Sequence, residues 1–238
     1  MERVQKIISN SGYCSRRKAE ELINDGKVFI NDSKAKLGDK ASYEDIITID
    51  GKIINKSNGN YVYYLINKPR GVVSTSFDPE KRKTIVELID TDQRIYPVGR
   101  LDYDTTGALL LTNDGSLTNI LIHPSNKVEK VYLAKLEGII TGNEINTLKN
   151  GIKIDNYFTK ADRVKLKSFD KRTQTSLVEI SIHEGHNHQI KKMFEAVGFR
   201  VNKLTRLSFA GLSVKNLKSG EYRLLNTKEV KQLYSLEK

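Results

Sequence analysis

The period of the apolar positions changes along the chain and divides it in two. Val4, Ile7 and Ile8 lie three and four apart and predict one face of a short helix. Ser15 stands as an N-cap for a second helix from Arg16 to Asn24, with Ala19, Leu22 and Ile23 facing inward and Gly26 placed to end it. Lys27–Ile30 then reads as a strand, Asn31-Asp32 as a turn and Asp45–Asp50 as an alternating strand. Lys56-Ser-Asn-Gly-Asn60 is polar and turn-prone, which predicts a linker. Residues 1–60 are therefore expected as a small domain with its linker, and residues 61–238 as a larger one.

In the larger part, strands are expected at Tyr61–Ile66 and Val72–Val73, then a short helix capped by Thr84 and running through Ile89. Ile95–Val98 and Ala108–Thr112 read as strands, and a helix is expected near Leu117–Ile122. Glu129–Glu137 alternates over its whole length and is the clearest strand in the chain. Helices follow at Glu144–Asn150 and Gln189–Val197, the latter ended by Gly198, with strands between them from Ala161 on, including Ser176–Ile182. Two further strand pairs and a helix from Thr227 to Leu233 complete the chain. Strands predominate without regular strand-helix alternation, so the expected class is α+β with a mixed, mainly antiparallel sheet.

Charge adds a partner to this picture. The net charge is +11 and the isoelectric point is near 9.5, which points to a polyanion such as nucleic acid. Residues 1–60 hold 11 Lys and Arg against 9 Asp and Glu, a balance of +2, leaving +9 for the rest. The larger domain is therefore expected to meet the polyanion too. No apolar run approaches the ~18 residues of a bilayer span, and the N-terminal residues carry no secretory pattern. The single cysteine, Cys14, excludes an internal disulfide and fits a reducing cytoplasm. The expected protein is a cytoplasmic monomer with no membrane partner.

The densest chemistry lies between Tyr96 and Gly115, where Arg100, Asp102, Asp104, Thr105 and Thr106 are bracketed by Gly99 and Gly107. A polar loop between two strands is a common place for catalytic groups, and Asp102 is the leading candidate. From spacing alone, Asp102 and Asp104 as loop residues bonding nearby amides is the stronger reading. Three of the four histidines, His183, His186 and His188, cluster with Glu184. They read either as a metal site or as a polar loop facing phosphate, and the lysines that follow oppose a cation. Arg16, Arg17 and Lys18 crowd the start of their helix, the wrong end for its dipole, as phosphate contacts or as a solvated basic face. Neither a Walker or dinucleotide loop nor a Gly-x-Ser-x-Gly elbow is present.

Arg3-Val-Gln-Lys-Ile-Ile, Ser11-Gly-Tyr-Cys-Ser-Arg-Arg-Lys-Ala-Glu-Glu-Leu-Ile and Gly26-Lys-Val-Phe-Ile-Asn resemble the ribosomal-protein-S-four-type RNA-binding domain, whose Arg-bearing helix face lies on structured RNA. Gly99-Arg-Leu-Asp102 with Tyr-Asp-Thr-Thr-Gly and Leu-Leu-Leu-Thr-Asn-Asp-Gly resembles the catalytic motif of the RsuA/RluB type of rRNA pseudouridine synthase. Lys68-Pro-Arg-Gly-Val-Val-Ser-Thr75, Glu129-Lys-Val-Tyr132 and Glu184-Gly-His-Asn-His-Gln-Ile-Lys-Lys-Met193 match its flanking motifs, so the resemblance spans nearly the whole chain.

That resemblance implies a cofactor-free, metal-free isomerase that turns a uridine in an rRNA hairpin into pseudouridine, on naked rRNA or on a ribosomal assembly intermediate. It implies the pseudouridine synthase fold for residues 61–238. Asp102 matches the nucleophile, Tyr132 the tyrosine stacked on the target base and Lys191 the basic partner of the carboxylate. Arg100 matches the arginine holding the flipped nucleotide, and Leu204 the apolar residue beneath the base. Arg16, Arg17, Lys18, Lys68, Arg70, Asn187, Gln189, Lys192 and Arg206 are the further RNA contacts expected. The base must leave its helix for the glycosidic bond to be reached. Attack of Asp102 on the anomeric carbon, attack on base carbon 6 and a glycal route all remain open. The motif wording lies nearer the large-subunit branch than the small-subunit one. His186, His188, Lys191 and Lys192 stand where many relatives carry Arg, and Lys lacks its bidentate fork. The rival readings are a non-catalytic RNA-binding assembly protein and a metal-dependent hydrolase.

Overall fold

The computed structural model describes residues 1–42, 44–54 and 60–237, so most of the expected linker, Lys56–Gly59, lies outside the described residues. The chain divides into two compact units. One comprises Met1–Val62 with Thr91–Arg94 and Asn113–Gly115, and the other comprises the remainder.

The smaller unit runs β1 (Glu2–Arg3), α1 (Val4–Asn10), α2 (Arg16–Asn24), β2 (Val28–Ile30), β3 (Ser33–Lys34), β4 (Lys40–Ala41), β5 (Ile47–Ile49) and β6 (Lys52–Ile53). The Ser15 side chain accepts the Lys18 amide at 3.1 Å and starts α2 as its cap. Asn31 and Asp32 both take positive φ, 46° and 69°, the backbone of a tight hairpin turn matched to strand twist. Val4, Ile7 and Ile8 of α1 and Ala19, Leu22 and Ile23 of α2 close a core with Val28, Ile47 and Ile49 of the sheet. The expected helix faces are the ones buried.

The larger unit contains β7 (Tyr63–Lys68), β8 (Tyr96–Pro97), β9 (Thr106–Thr112), α3 (Gly115–Ile122), β10 (Lys130–Glu137), α4 (Gly142–Asn150), β11 (Ile152–Ile154), β12 (Tyr157–Thr159), β13 (Arg163–Asp170), β14 (Thr175–Ile182), α5 (Gln189–Glu195), β15 (Val201–Phe209), β16 (Leu212–Ser213), β17 (Tyr222–Leu224) and α6 (Thr227–Tyr234). Among the described residues its main sheet runs β13-β14-β10-β15-β9-β7-β17, with β16 beside β15 and β8 beside β9. Every pairing is antiparallel except β15 with β9, so the sheet is mixed and mainly antiparallel, as expected of an α+β fold.

Ala108–Leu111 of β9 is fully buried because both faces of the strand are covered. Ala108 and Leu110 pack with Leu65 against Leu117 and Leu121 of α3 and Leu233 of α6. Three local expectations change. Val73 makes only an isolated bridge to Thr84 instead of resuming the sheet. The segment after Thr84 is a single 3-10 turn, Val86–Leu88, and the Glu87 carboxylate accepts both the Thr84 amide and hydroxyl. Of the two late strand pairs expected, β15 with β16 forms one, while β17 pairs instead with the distant β7. The hairpin β11–β12 was not expected at all.

Candidate active site

β8 and β9 deliver the loop 98–105 to one wall of a cavity of about 470 Å³. The loop is held by its backbone. The Ser74 hydroxyl donates to the Leu101 carbonyl at 2.8 Å and accepts the Leu101 amide at 3.2 Å. The Gly71 amide donates to the Tyr103 carbonyl at 2.9 Å. Beneath lies Lys68, wholly buried, whose Nζ donates to the carbonyls of Pro69, Asp102 and Thr105 at 3.0–3.2 Å. Burial pushes its pKa down to about 8, with Asp102 and Asp104 opposing the shift. Lys68 thus departs from the place expected of an RNA contact: it braces the loop from inside, and no charge is left facing outward.

Asp102 faces the cavity with a third of its side chain exposed. Its Oδ2 lies 3.5 Å from Lys191 Nζ and its Oδ1 3.6 Å from His188 Nε2. Lys191 is nearer to Asp104, donating to both of its oxygens at 2.8 and 3.0 Å. Burial raises the Asp104 pKa, but the Lys191 hydrogen bond and charge, with smaller help from Arg70, outweigh it and hold the carboxyl below its ordinary range. The family resemblance implied Lys191 beside Asp102; its tighter bond to Asp104 carried no signal in spacing.

The opposite wall is sheet. In register, Tyr132 of β10 stands across from Arg206 of β15, and Ala134 from Leu204, so all four side chains share one face. Tyr132, Leu204 and Arg206 are buried and line the cavity with Asp102 and the exposed Arg100. Arg206 also departs from expectation: it is 2 % exposed, its Nε donates to the Ala108 carbonyl at 2.7 Å and its guanidinium lies 4.8 Å from the Phe209 ring centre.

The third wall is the loop 183–189. Gln189, 3 % exposed, donates from Nε2 to the Thr159 hydroxyl and to Glu184, both at 2.9 Å, while its Oε1 accepts the His186 amide at 3.0 Å. It was expected to touch RNA and instead fixes this loop to β12. His183 is bonded to Asp162 at 2.9 Å, His186 stacks on Tyr157 with ring centres 4.1 Å apart, and His188 turns to Asp102. The three histidines point to different partners, and no metal-holding group of three or more His, Cys, Asp or Glu occurs among the described residues.

Of the remaining expected contacts, Arg70 and Asn187 are exposed, and Lys192 is bonded to Asp155 at 2.5 Å. In the smaller unit Arg16, Arg17 and Lys18 are all exposed on α2, with Lys18 donating to Glu21 at 2.8 Å. Sequence reasoning missed Lys130 and Thr105 as cavity residues. For Lys130 the signal was present, because alternation along a strand puts it on the face of Tyr132.

Comparison with known proteins agrees with this geometry. Residues 62–196 match the RNA pseudouridylate synthase family, and residues 2–47 match the S4 domain. The ribosomal large subunit pseudouridine synthase B of Bacillus subtilis (strain 168) is 44% identical over 238 residues, which covers 99% of this chain and 97% of the relative. The dual-specificity RNA pseudouridine synthase RluF of Salmonella typhi is 36% identical over 235 residues, covering 98% of this chain and 79% of the relative. A crystal structure of a pseudouridylate synthase matches with a TM-score of 0.68 at 30% identity, covering 98% of this chain and 100% of its own. Motifs, sheet and relatives along the whole length agree: the chain belongs to the RNA pseudouridine synthases, a family of isomerases, in the RsuA/RluB-type branch that carries an S4 domain.

Proposed function

We propose that this chain converts one uridine of large-subunit ribosomal RNA to pseudouridine, with Asp102 as the reacting carboxylate. The observation that carries the reading is the meeting of Asp102 with Tyr132 and Leu204 across a cavity within the ~300–1,000 Å³ range of small-ligand sites. The ring of Tyr132 offers a face for the extruded uracil, and Leu204 packs below it. Arg100, exposed at the mouth, meets the backbone of the flipped nucleotide. The ammonium of Lys191, 3.5 Å from Asp102 Oδ2, orients the carboxylate for attack. The choice of the large subunit follows the Bacillus subtilis relative and the motif wording.

RNA capture is shared. The surplus of +9 beyond residue 60 attracts the phosphate backbone, and Arg16, Arg17 and Lys18 on α2 add contacts from a domain spanning residues 1–60. The work is carried out in the cytoplasm, by a monomer, with no cofactor in the chemistry.

The new bond at carbon 5 displaces its hydrogen, so RNA carrying uridine tritiated at carbon 5 reports the reaction directly. Purified protein with large-subunit rRNA lacking its modifications is expected to release about one tritium per molecule into water, with EDTA present. No release from that RNA, alongside release from small-subunit rRNA, would overturn the subunit assignment; no release from either would overturn the activity.

A further inference from the structure

We propose that Arg206, assisted by Thr105 and Lys130, carries the negative charge of the uracil ring while the ring is detached from its ribose, a role that rests on the pseudouridine-forming reading above. The wall of the cavity holds a cation whose bonding is incomplete among the described residues. Arg206 is almost wholly buried, yet its Nη2 has no partner among the described residues. Its Nε is used by the Ala108 carbonyl and one face of its guanidinium by Phe209. A buried, incompletely bonded cation is costly to fold. The chain keeps this one in the wall of the cavity that holds Asp102.

Two neighbours repeat the theme. The Thr105 hydroxyl, in the same wall, is also buried with no partner among the described residues. Lys130, likewise in the wall, donates to the Val128 and His183 carbonyls at 3.1 and 2.9 Å. Its pKa is pushed down to about 8, first by burial and then by the charge of Arg206. Asp162 and Glu184 oppose that shift, but Asp162 is engaged by His183, and Glu184 by Thr159 and Gln189. The two carboxylates that face Lys130 are therefore already committed, and neither Lys130 nor Arg206 forms an ion pair among the described residues.

The reaction supplies the missing anion. When the bond between ribose carbon 1′ and base nitrogen 1 breaks, its electron pair stays on the ring and spreads over nitrogen 1 and the two carbonyl oxygens. The ring turns and carbon 5 bonds to carbon 1′, displacing the Asp102 carboxylate that attack had placed there; the carbon 5 proton leaves and nitrogen 1 takes one up. Nothing is oxidised or reduced. Between the two steps the free ring is at its most negative, and fixed cations in a closed, low-dielectric wall act most strongly there. Because Tyr132 and Arg206 are opposite each other on one sheet face, a ring stacked on Tyr132 has Arg206 on its own side.

Single-turnover rates and RNA affinities of Thr105→Val, Arg206→Gln and Arg206→Lys test this, with thermal melts alongside. Thr105→Val removes a hydroxyl with no partner, so a purely structural role leaves the rate unchanged and the melting point equal or higher. The proposal expects that same melting point, about a tenfold slower rate and RNA affinity within about twofold of wild type. For Arg206→Gln it expects about a hundredfold loss of rate, with Arg206→Lys recovering most of it. An active wild type whose Thr105→Val variant keeps the full rate overturns the proposal alone, whether or not the Arg206 variants fold. An inactive wild type overturns this proposal together with the function it rests on.

Discussion

Lys191 is bonded to Asp104 at 2.8 Å and stands 3.5 Å from Asp102, so one ammonium serves two carboxylates of a single loop. The nearer, Asp104, is the anchor, and it leaves the lysine poised beside Asp102. Lys191 is on α5, whereas both carboxylates follow β8, so this link ties the 98–105 loop to the helix behind the histidine loop.

Lys191→Met should therefore do more than remove a charge. With the lysine gone, Asp104 keeps its burial and loses the bond that holds its pKa down. A depressed carboxylate adds stability that is present above its unfolded value and lost as pH falls through its folded value. Acid loosening of the loop should thus begin at higher pH in the variant. The rate should fall by about a hundredfold, the scale of a small misplacement of a reacting group, and the acid limb of the single-turnover profile should move upward. An unmoved acid limb would contradict the shared-lysine arrangement.

The alkaline limb belongs to the buried Lys68 and the half-buried Lys130. Lys68 and Lys130 both have pKa values of about 8. Lys130 faces Arg206, Asp162 and Glu184, and Lys68 faces Asp102 and Asp104. As pH rises through about 8, Lys68 gives up a proton that holds the loop and Lys130 gives up its charge in the cavity, so the rate should fall. Stability moves the other way. Between about pH 8 and the normal lysine value of 10.5 the unfolded chain binds more protons at these positions, so their contribution to folding rises with pH. Urea midpoints for wild type minus Lys130→Met should rise over that window while the wild-type rate declines.

Gly107 marks a close approach of β9 to β15. It has φ +109°, and a Cβ there would stand 2.1 Å from the Arg206 carbonyl oxygen and 2.7 Å from its amide nitrogen. Both atoms are backbone and cannot swing aside. Gly107→Ala should cost about 3 kcal/mol or more in denaturant unfolding, through strain and overpacking together. A cost under about 1 kcal/mol would show that the strands part more easily than the pairing implies.

Gln189→Leu separates a brace from an RNA contact. The change removes the bonds of Gln189 to the His186 amide, the Thr159 hydroxyl and Glu184, leaving Thr159 and Glu184 bonded to each other. We expect a loss of about 2 kcal/mol in stability, with RNA affinity within about twofold of wild type when measured well below the melting point. A large affinity loss with unchanged stability would return Gln189 to the RNA surface.

Arg16→Glu with Arg17→Glu tests capture by the smaller unit. Both side chains are exposed at the start of a helix whose Ser15 cap is untouched. The slope of log affinity against log salt should fall by about 1 for each phosphate contact removed, while the rate at saturating RNA stays the same. A slower saturated rate would place these arginines in the chemistry.

Much of this was legible in the chain because it is local. Ser15, the run from Arg16 to Asn24 and the apolar spacing inside it specify a capped amphipathic helix without outside help, and the β8-loop-β9 segment around Asp102 is bracketed by its own glycines. What was not legible depends on partners far away in sequence. Lys68 reads as a turn cation, and only the fold of the 101–105 backbone over it makes it an internal brace. Arg206 reads as one more surface charge, because nothing near it in the chain shows that β15 is central, antiparallel to β10 and parallel to β9. The register slip that skips Leu207 further blurs simple alternation along β15 beside Arg206.

The proposed chemistry stands or falls on Asp102, and one measurement addresses that residue most directly. Ribosomal RNA from cells lacking this protein is incubated with wild type or with Asp102→Asn in the presence of EDTA, and pseudouridine is mapped by carbodiimide labelling and primer extension. Asn keeps the shape of the side chain and removes its charge. One new stop in large-subunit rRNA made by wild type and absent with Asp102→Asn, while both proteins bind the RNA equally, is the result predicted. A stop of equal intensity with Asp102→Asn would contradict the assignment of the reacting carboxylate.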